Sequence, residues 1–265
     1  MSQRVLKEMK SSKFKKKYKA IISDIDGTLI ETKNDALPSD KTTLAIRRAV
    51  KKGVIFSLAT GRPFFMVQYL VEHIGLSSPL ITDNGASIVD AKSGKALWEA
   101  LLSAKETEEI LKITRNYPMT RVSCDIDNFK NPSTIPAYAK VRKISIHDLS
   151  PSSAEDLVGN LERNFKDLAV VKAAAFEGKE FFDVYVSNAS ATKQHAVLKL
   201  AKILGINTHE IIGIGDHYND FPLLMACGLK IAMGDSVEDL KVIADYVAPT
   251  VEEDGLADVI EKFIL

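Results

Sequence analysis

Tyr18-Lys19-Ala20-Ile21-Ile22-Ser23-Asp24-Ile25-Asp26-Gly27-Thr28 passes from a short apolar run straight into two carboxylates and a glycine. Such a run reads as a parallel β-strand emptying into a loop. Open α/β sheets place their ligands at the carboxyl ends of such strands. If Asp24 and Asp26 lie close together, they repel each other unless a cation or a proton sits between them. Taken alone, the stretch equally fits an acidic turn, because Asp, Gly and Thr are turn residues. Asp-x-Asp-Gly also matches the start of a calcium loop. The rest of the chain has to decide.

Downstream, Pro38-Ser39 opens a helical pattern with Leu44, Ile46 and Val50 on one side and Lys41, Arg47 and Lys51 on the other, closed by Gly53. Residues 54–59 form a continuous apolar run, as expected of a strand buried on both faces. It ends in Thr60-Gly61-Arg62-Pro63, and a helix follows to about Gly75. Pro79-Leu80-Ile81-Thr82 reads as a third strand, ending in Asp83-Asn84-Gly85. This alternation predicts a parallel sheet with right-handed crossovers.

The rhythm then changes. A hairpin (86–89 and 96–99), a helix (104–116), a strand (120–124), a polar loop (125–138), a strand (142–147), a helix (154–164) and strands at 168–175 and 181–187 suggest an α+β layer. From Thr192 the first pattern resumes, with a helix to Leu204 and a buried strand, Ile211–Ile214, ending in Gly215-Asp216. Shorter elements follow: a helix at 221–227, a strand at 230–233, a helix at 237–244, a strand at 246–248 and a last helix. The expected organisation is an α/β core of residues 18–85 and 190–265, an insert of 86–189 and a basic tail of 1–17.

The composition is that of a soluble globular protein: 265 residues, 46% hydrophobic, with 35 basic and 35 acidic side chains. No stretch has the roughly 18 consecutive apolar residues of a membrane span, and the basic N-terminus lacks the apolar core of a signal peptide. Balanced charge argues against a general nucleic-acid binder. Cys124 and Cys227 are too few and too far apart for a disulfide framework or a zinc site, so a reducing cytoplasm is the expected location. Oligomeric state is not legible.

Four segments carry polar groups that the fold would gather: Asp24-x-Asp26-Gly27-Thr28, Thr60-Gly61-Arg62, Lys193 at a helix start, and Gly215-Asp216-His217-Tyr218-Asn219-Asp220. Singly, each has a plain structural reading: a turn into a Pro-initiated helix, an exposed lysine, or a helix start with acids favouring the dipole. Together and in this order they resemble the haloacid dehalogenase (HAD) superfamily of phosphohydrolases, in particular Cof-type members with a class IIB cap. The resemblance spans essentially the whole chain, and Asn84-Gly85-Ala86 resembles the entry into that cap. It implies a HAD-like Rossmannoid core with a parallel sheet and an inserted α+β cap domain. The implied partner is a small phosphorylated metabolite, and the implied cofactor is Mg2+.

The roles that follow from the resemblance are these. Asp24 is the nucleophile, forming an aspartyl-phosphate, and Asp26 is the proton donor and acceptor. Asp24, the backbone carbonyl of Asp26 and Asp216 hold the metal, with Asp220 behind them. Thr60, Gly61, Arg62 and Asn219 hold the phosphoryl group, and Lys193 offsets its charge. His217 falls between these positions and reads as an exposed loop residue. Gln194 departs from the glycine that commonly follows the family's lysine. The cap would exclude water and read the leaving group, with Lys130, Asn131 and Tyr138 as candidate contacts. A sugar phosphomutase and a catalytically silent binding protein are the alternatives.

Overall fold

Ala20–Ser23 forms β1, buried along its whole length. It lies between β2 (Ile55–Leu58) and β11 (Ile211–Gly215), parallel to both, with Ala20 opposite Ile55 and Ile211. Beyond β11 come β12 (Leu229–Ala232) and β13 (Tyr246–Val247), so the order is β13-β12-β11-β1-β2. The computed structural model describes residues 18–32, 36–117, 119–125, 128–136, 139–174 and 180–265; the basic segment 1–17 lies outside them. No helix among the described residues is long and apolar enough to cross a membrane.

The described residues divide into two compact units: those up to 96 together with 193–265, and those between 97 and 192. The first holds the parallel sheet, with Ile21, Phe56, Leu58, Ile212, Ile214 and Ile231 in its core. The strands are continuous apolar runs because both sheet faces are covered. Helix α1 (Asp40–Lys51) starts at Ser39, whose side chain accepts from Thr42 N at 3.0 Å. Such a cap satisfies an amide with no intrahelical partner. Its buried stripe is Thr42, Ala45, Ile46 and Ala49, while Leu44 and Val50 are exposed. This corrects the expected apolar side: spacings of three and four residues select the small side chains, which let the helix lie close to its neighbours.

The segment after Arg62 makes a single 3-10 turn, Phe64–Met66, before α2 (Gln68–Ile74). The next strand, β3 (Leu80–Thr82), differs from its expected place. It pairs antiparallel with β4 (Ser87–Val89) and reaches β2 through one bridge, Ala59 to Ile81. Pro79 has no N–H with which to extend that ladder. Because β4 belongs to β3, the first unit runs on to Ala96, past the expected boundary at 85/86. The chain continues through β5 (Ala96–Glu99).

The second unit contains α3 (Ala104–Ile113), α4 (Pro151–Asn164) and an antiparallel sheet. Its strands are β6 (Thr120–Cys124), β7 (Asn128–Lys130), β8 (Val141–Leu149), β9 (Leu168–Ala174) and β10 (Phe182–Asn188), in the order β7-β6-β8-β10-β9. Strand β7 and a turn at Pro132–Thr134 occupy part of the expected loop 125–138. Alternation gives the sheet two unlike faces. Val122, Ile144, Ile146, Val184 and Val186 pack with Ile110, Leu157 and Leu161 of the helices. Ser123, Lys143, Ser145, His147, Asp183, Tyr185 and Ser187 occupy the alternate positions.

The chain returns to the first unit through α5 (Lys193–Leu204). Three short helices complete it: α6 (Phe221–Ala226), α7 (Glu238–Ile243) and α8 (Gly255–Phe263).

Candidate active site

The site begins at the carboxyl end of β1. Asp24 N donates to Ile214 O at 2.9 Å, so the last rung of the β1–β11 ladder fixes the backbone that carries this carboxylate. Asp24 is 5% exposed. Lys193, the first residue of α5, is 2% exposed and places Nζ 2.6 Å from Asp24 Oδ1 and 2.6 Å from Asp220 Oδ1. The other oxygen of Asp220 accepts from the backbone N–H of Asp216 at 3.0 Å and of His217 at 3.1 Å. Both oxygens of Asp220 are thus engaged. It anchors the ammonium and folds the loop after β11, and has little capacity left as a direct metal ligand.

Asp216 comes from the end of β11. Thr28 Oγ1 donates to its Oδ1 at 2.9 Å, a contact the sequence reading did not find. Gly27 makes this approach possible: its φ is +78°, and a Cβ there would lie 2.8 Å from Asp216 Cγ. Only glycine combines that backbone with that clearance. Carboxylate oxygens of Asp24, Asp216 and Asp220 lie within 4.8 Å of one another.

The electrostatics follow from this crowding. Burial, reinforced by the negative charges of Asp220 and Asp216 and opposed by Lys193, pushes Asp24 well above the usual carboxylate range. Burial and the charge of Asp220 push Asp216 up to about 7, against the hydrogen bond from Thr28. For Lys193, burial disfavours the charge, but Asp220 and Asp24 outweigh it and hold the ammonium above its ordinary value. Desolvation and like charge raise a carboxyl pKa, and a nearby cation reverses both. Asp24, buried, and Asp216, half-buried, with one ammonium for three carboxylates, therefore fit a hard divalent cation.

Asp26 lies on the other side of the loop. Arg62 grips it with a two-pronged pair: Nε donates to Oδ2 at 3.0 Å and Nη2 to Oδ1. Burial works against the Arg62 charge, but the bonds and charge of Asp26 outweigh it and hold the guanidinium pKa above its ordinary value. Thr60, 1% exposed, accepts the N–H of Arg62 on Oγ1 at 3.0 Å. Asn219 is half-buried on the turn between Asp216 and Asp220. His217 is half-buried, with its amide on Asp220, and is not the exposed residue expected.

The structure therefore brings together Asp24, Lys193, Asp216 and Asp220 by direct contact. It pairs Asp26 with Arg62, and Thr60 with the Arg62 amide. Among the expected cap contacts, Asn131 Oδ1 accepts from Ser133 N at 3.0 Å and Ser133 Oγ at 2.8 Å, bracing a turn. Tyr138 and the Lys130 side chain lie outside the described residues.

The second unit holds a polar network that sequence reasoning missed. His147 Nδ1 meets Asp183 Oδ2 at 2.8 Å and Nε2 meets Ser145 Oγ at 2.9 Å. Tyr185 OH donates to Asp183 Oδ2 at 3.0 Å, and Lys143 Nζ stands 5.3 Å from the Tyr185 ring centre. Burial works against the Asp183 charge, but the bonds from His147 and Tyr185 hold its pKa below the ordinary value. The only signal available was alternation of polar residues, which reads equally as a solvated strand face.

The chain is similar to known proteins along most of its length. A family model for haloacid dehalogenase-like hydrolases matches residues 21–135 and 120–260. The 5-amino-6-(5-phospho-D-ribitylamino)uracil phosphatase YcsE of Bacillus subtilis is 29% identical over 254 residues, covering 93% of this chain and 96% of its own. The phosphoglycolate phosphatase of Methanopyrus kandleri is 26% identical over 245 residues, covering 92% and 96%. A haloacid dehalogenase-like hydrolase from B. subtilis superposes with a TM-score of 0.78 at 24% identity, over 93% of this chain and 100% of that one. A HAD subclass IIB sugar phosphatase superposes with a TM-score of 0.74 at 21% identity, over 92% and 98%.

Proposed function

The chain belongs to the haloacid dehalogenase-like hydrolases as a phosphoric monoester hydrolase, and on that premise we propose that it cleaves a small phosphorylated metabolite through an aspartyl-phosphate on Asp24, with Mg2+ as cofactor. The buried Lys193–Asp24 contact at 2.6 Å, beside Asp216 at the end of the neighbouring strand, is the observation that carries this reading. An anionic ester repels an attacking carboxylate, so the site must offer positive charge to both. Lys193 supplies one share from the protein. Asp24, Asp216 and the Asp26 carbonyl would hold the metal, whose chemistry is to neutralise the phosphoryl oxygens and the nucleophile together.

The residues then divide the work. An Asp24 oxygen attacks phosphorus, the ester P–O bond breaks, and the leaving alkoxide takes a proton from Asp26. Water next attacks the same phosphorus. Asp26 accepts its proton, the Asp24–phosphorus bond breaks, and inorganic phosphate leaves. Both carboxylate oxygens of Asp26 are engaged by Arg62. In this reading Arg62 exchanges Asp26 for a phosphoryl oxygen when substrate arrives. Thr60, Gly61 and Asn219 line the phosphoryl position.

Phosphate release from a panel of phosphate esters with Mg2+, run beside Asp24→Asn, is the test. We expect turnover by the native protein and a loss of at least about 10³-fold in the variant. Undiminished turnover by Asp24→Asn would exclude Asp24 as nucleophile. Ring-bearing ribityl phosphates, phosphoglycolate and sugar phosphates belong in the panel, because two relatives and one solved structure named for such substrates match along nearly their full length.

A further inference from the structure

The segment Asp83-Asn84-Gly85 is the most strained piece of backbone in the first unit. Three successive residues have positive φ, at 54°, 58° and 98°, and two of them are not glycine. L-residues avoid this region, and such conformations persist only where the surroundings enforce them. Here both backbone amides of the non-glycine residues lead to the loop that carries Thr60. Asn84 N donates to Thr60 O at 2.9 Å and Asp83 N to Arg62 O at 3.2 Å. The Asn84 amide fills the space where a Cβ on Gly61 would stand, 2.9 Å from Oδ1 and 3.4 Å from Nδ2. The same segment packs against α5, whose first residue is Lys193. Asn84 Oδ1 is buried with no hydrogen-bond partner among the described residues. A buried acceptor left unmatched is uncommon and calls for an explanation.

We infer that Asn84 is a positioning residue: its left-handed backbone and its amide clamp Thr60-Gly61-Arg62 in the phosphoryl-holding conformation and tie that loop to the helix of Lys193. The inference rests on the proposed function, and adds to it a residue that acts through the loop rather than on the substrate. Asparagine suits the place, since its short polar side chain tolerates positive φ better than most. Gly61 is its necessary counterpart, because any larger residue would collide with the amide.

The test uses the full-length protein with Mg2+, para-nitrophenyl phosphate as substrate and inorganic phosphate as inhibitor. Asn84→Gly keeps the backbone conformation and deletes the amide. We expect its KM and its phosphate Ki to rise by on the order of tenfold, since small misplacements at a reacting centre weaken it by one to two decades. Its thermal midpoint should stay close to native. Gly61→Ala should lose more, and Gly61→Ala/Asn84→Gly should recover part of that loss, because the colliding amide is gone. Hydrogen exchange at the Arg62 amide, which Thr60 Oγ1 accepts, should quicken in Asn84→Gly whether or not turnover is measured. Unchanged Ki, KM and exchange in Asn84→Gly would overturn the inference, as would a double variant no better than Gly61→Ala. If Gly61→Ala does not fold, Asn84→Gly decides alone. A native protein that hydrolyses no ester would count against the functional reading, while the exchange result would still judge the clamp.

Discussion

At the scale of single residues, Lys193 is the most consequential side chain in the first unit. It is the cation directly contacting both Asp24 and Asp220, all three nearly free of solvent. Removing one partner of a buried ionic cluster leaves charge uncompensated, at a cost of about 3–5 kcal/mol. Lys193→Met should therefore lower the unfolding free energy by that amount in metal-free protein and reduce kcat by roughly 10²–10³-fold. Denaturation with and without Mg2+ checks this, and partial recovery of stability by the metal is expected. That these residues would lie together was legible in the sequence because each stands at a strand end, a helix start or the turn after a strand. The Arg62–Asp26 pair and the Thr28–Asp216 bond were not. They join positions 36 and 188 residues apart through side-chain reach, which no local pattern encodes.

At the scale of elements, strands that run as unbroken apolar segments were readable, because full burial leaves no ambiguity. Strand β3 was harder: its residues look like those of β1, and only pairing geometry assigns it to another ladder. The polar face of the second unit's sheet was hardest, since Ser145, His147 and Asp183 alternate as solvated residues would. That network makes a measurable prediction. The folded Asp183 pKa is depressed, so its contribution is present above the unfolded value near 4 and is lost as pH falls through the folded one. Asp183→Asn should cost about 1–3 kcal/mol at neutral pH and flatten the acid limb of the stability curve. Urea midpoints between pH 3 and 7 would record both effects.

At the scale of the whole molecule, the crowded carboxylates set the pH response of the metal-free protein. Asp216 rises to about 7 and Asp24 is raised as well, so between about pH 4 and 7 the folded chain holds protons that the unfolded chain has released. Stability falls with rising pH wherever the folded state binds more protons. Melting temperatures in chelator should therefore decline from pH 5 to 8. Added Mg2+ at 100 times its dissociation constant should restore about 2.7 kcal/mol; Asp216→Asn should flatten the decline. A flat profile in the native protein would refute this picture. The first unit is also split in sequence, with β1 between a strand made early and one made late. Asp24 meets Lys193, 169 positions further along the chain. On a ribosome, β1 and β2 would emerge with their central strand lacking one neighbour and its carboxylate lacking its ammonium. The nascent first segment must wait, unpaired along one edge, until α5 and β11 leave the exit tunnel. In the proposed reaction, the competence of Asp24 would thus wait for α5 and β11, the segments that also enclose β1 on its second side.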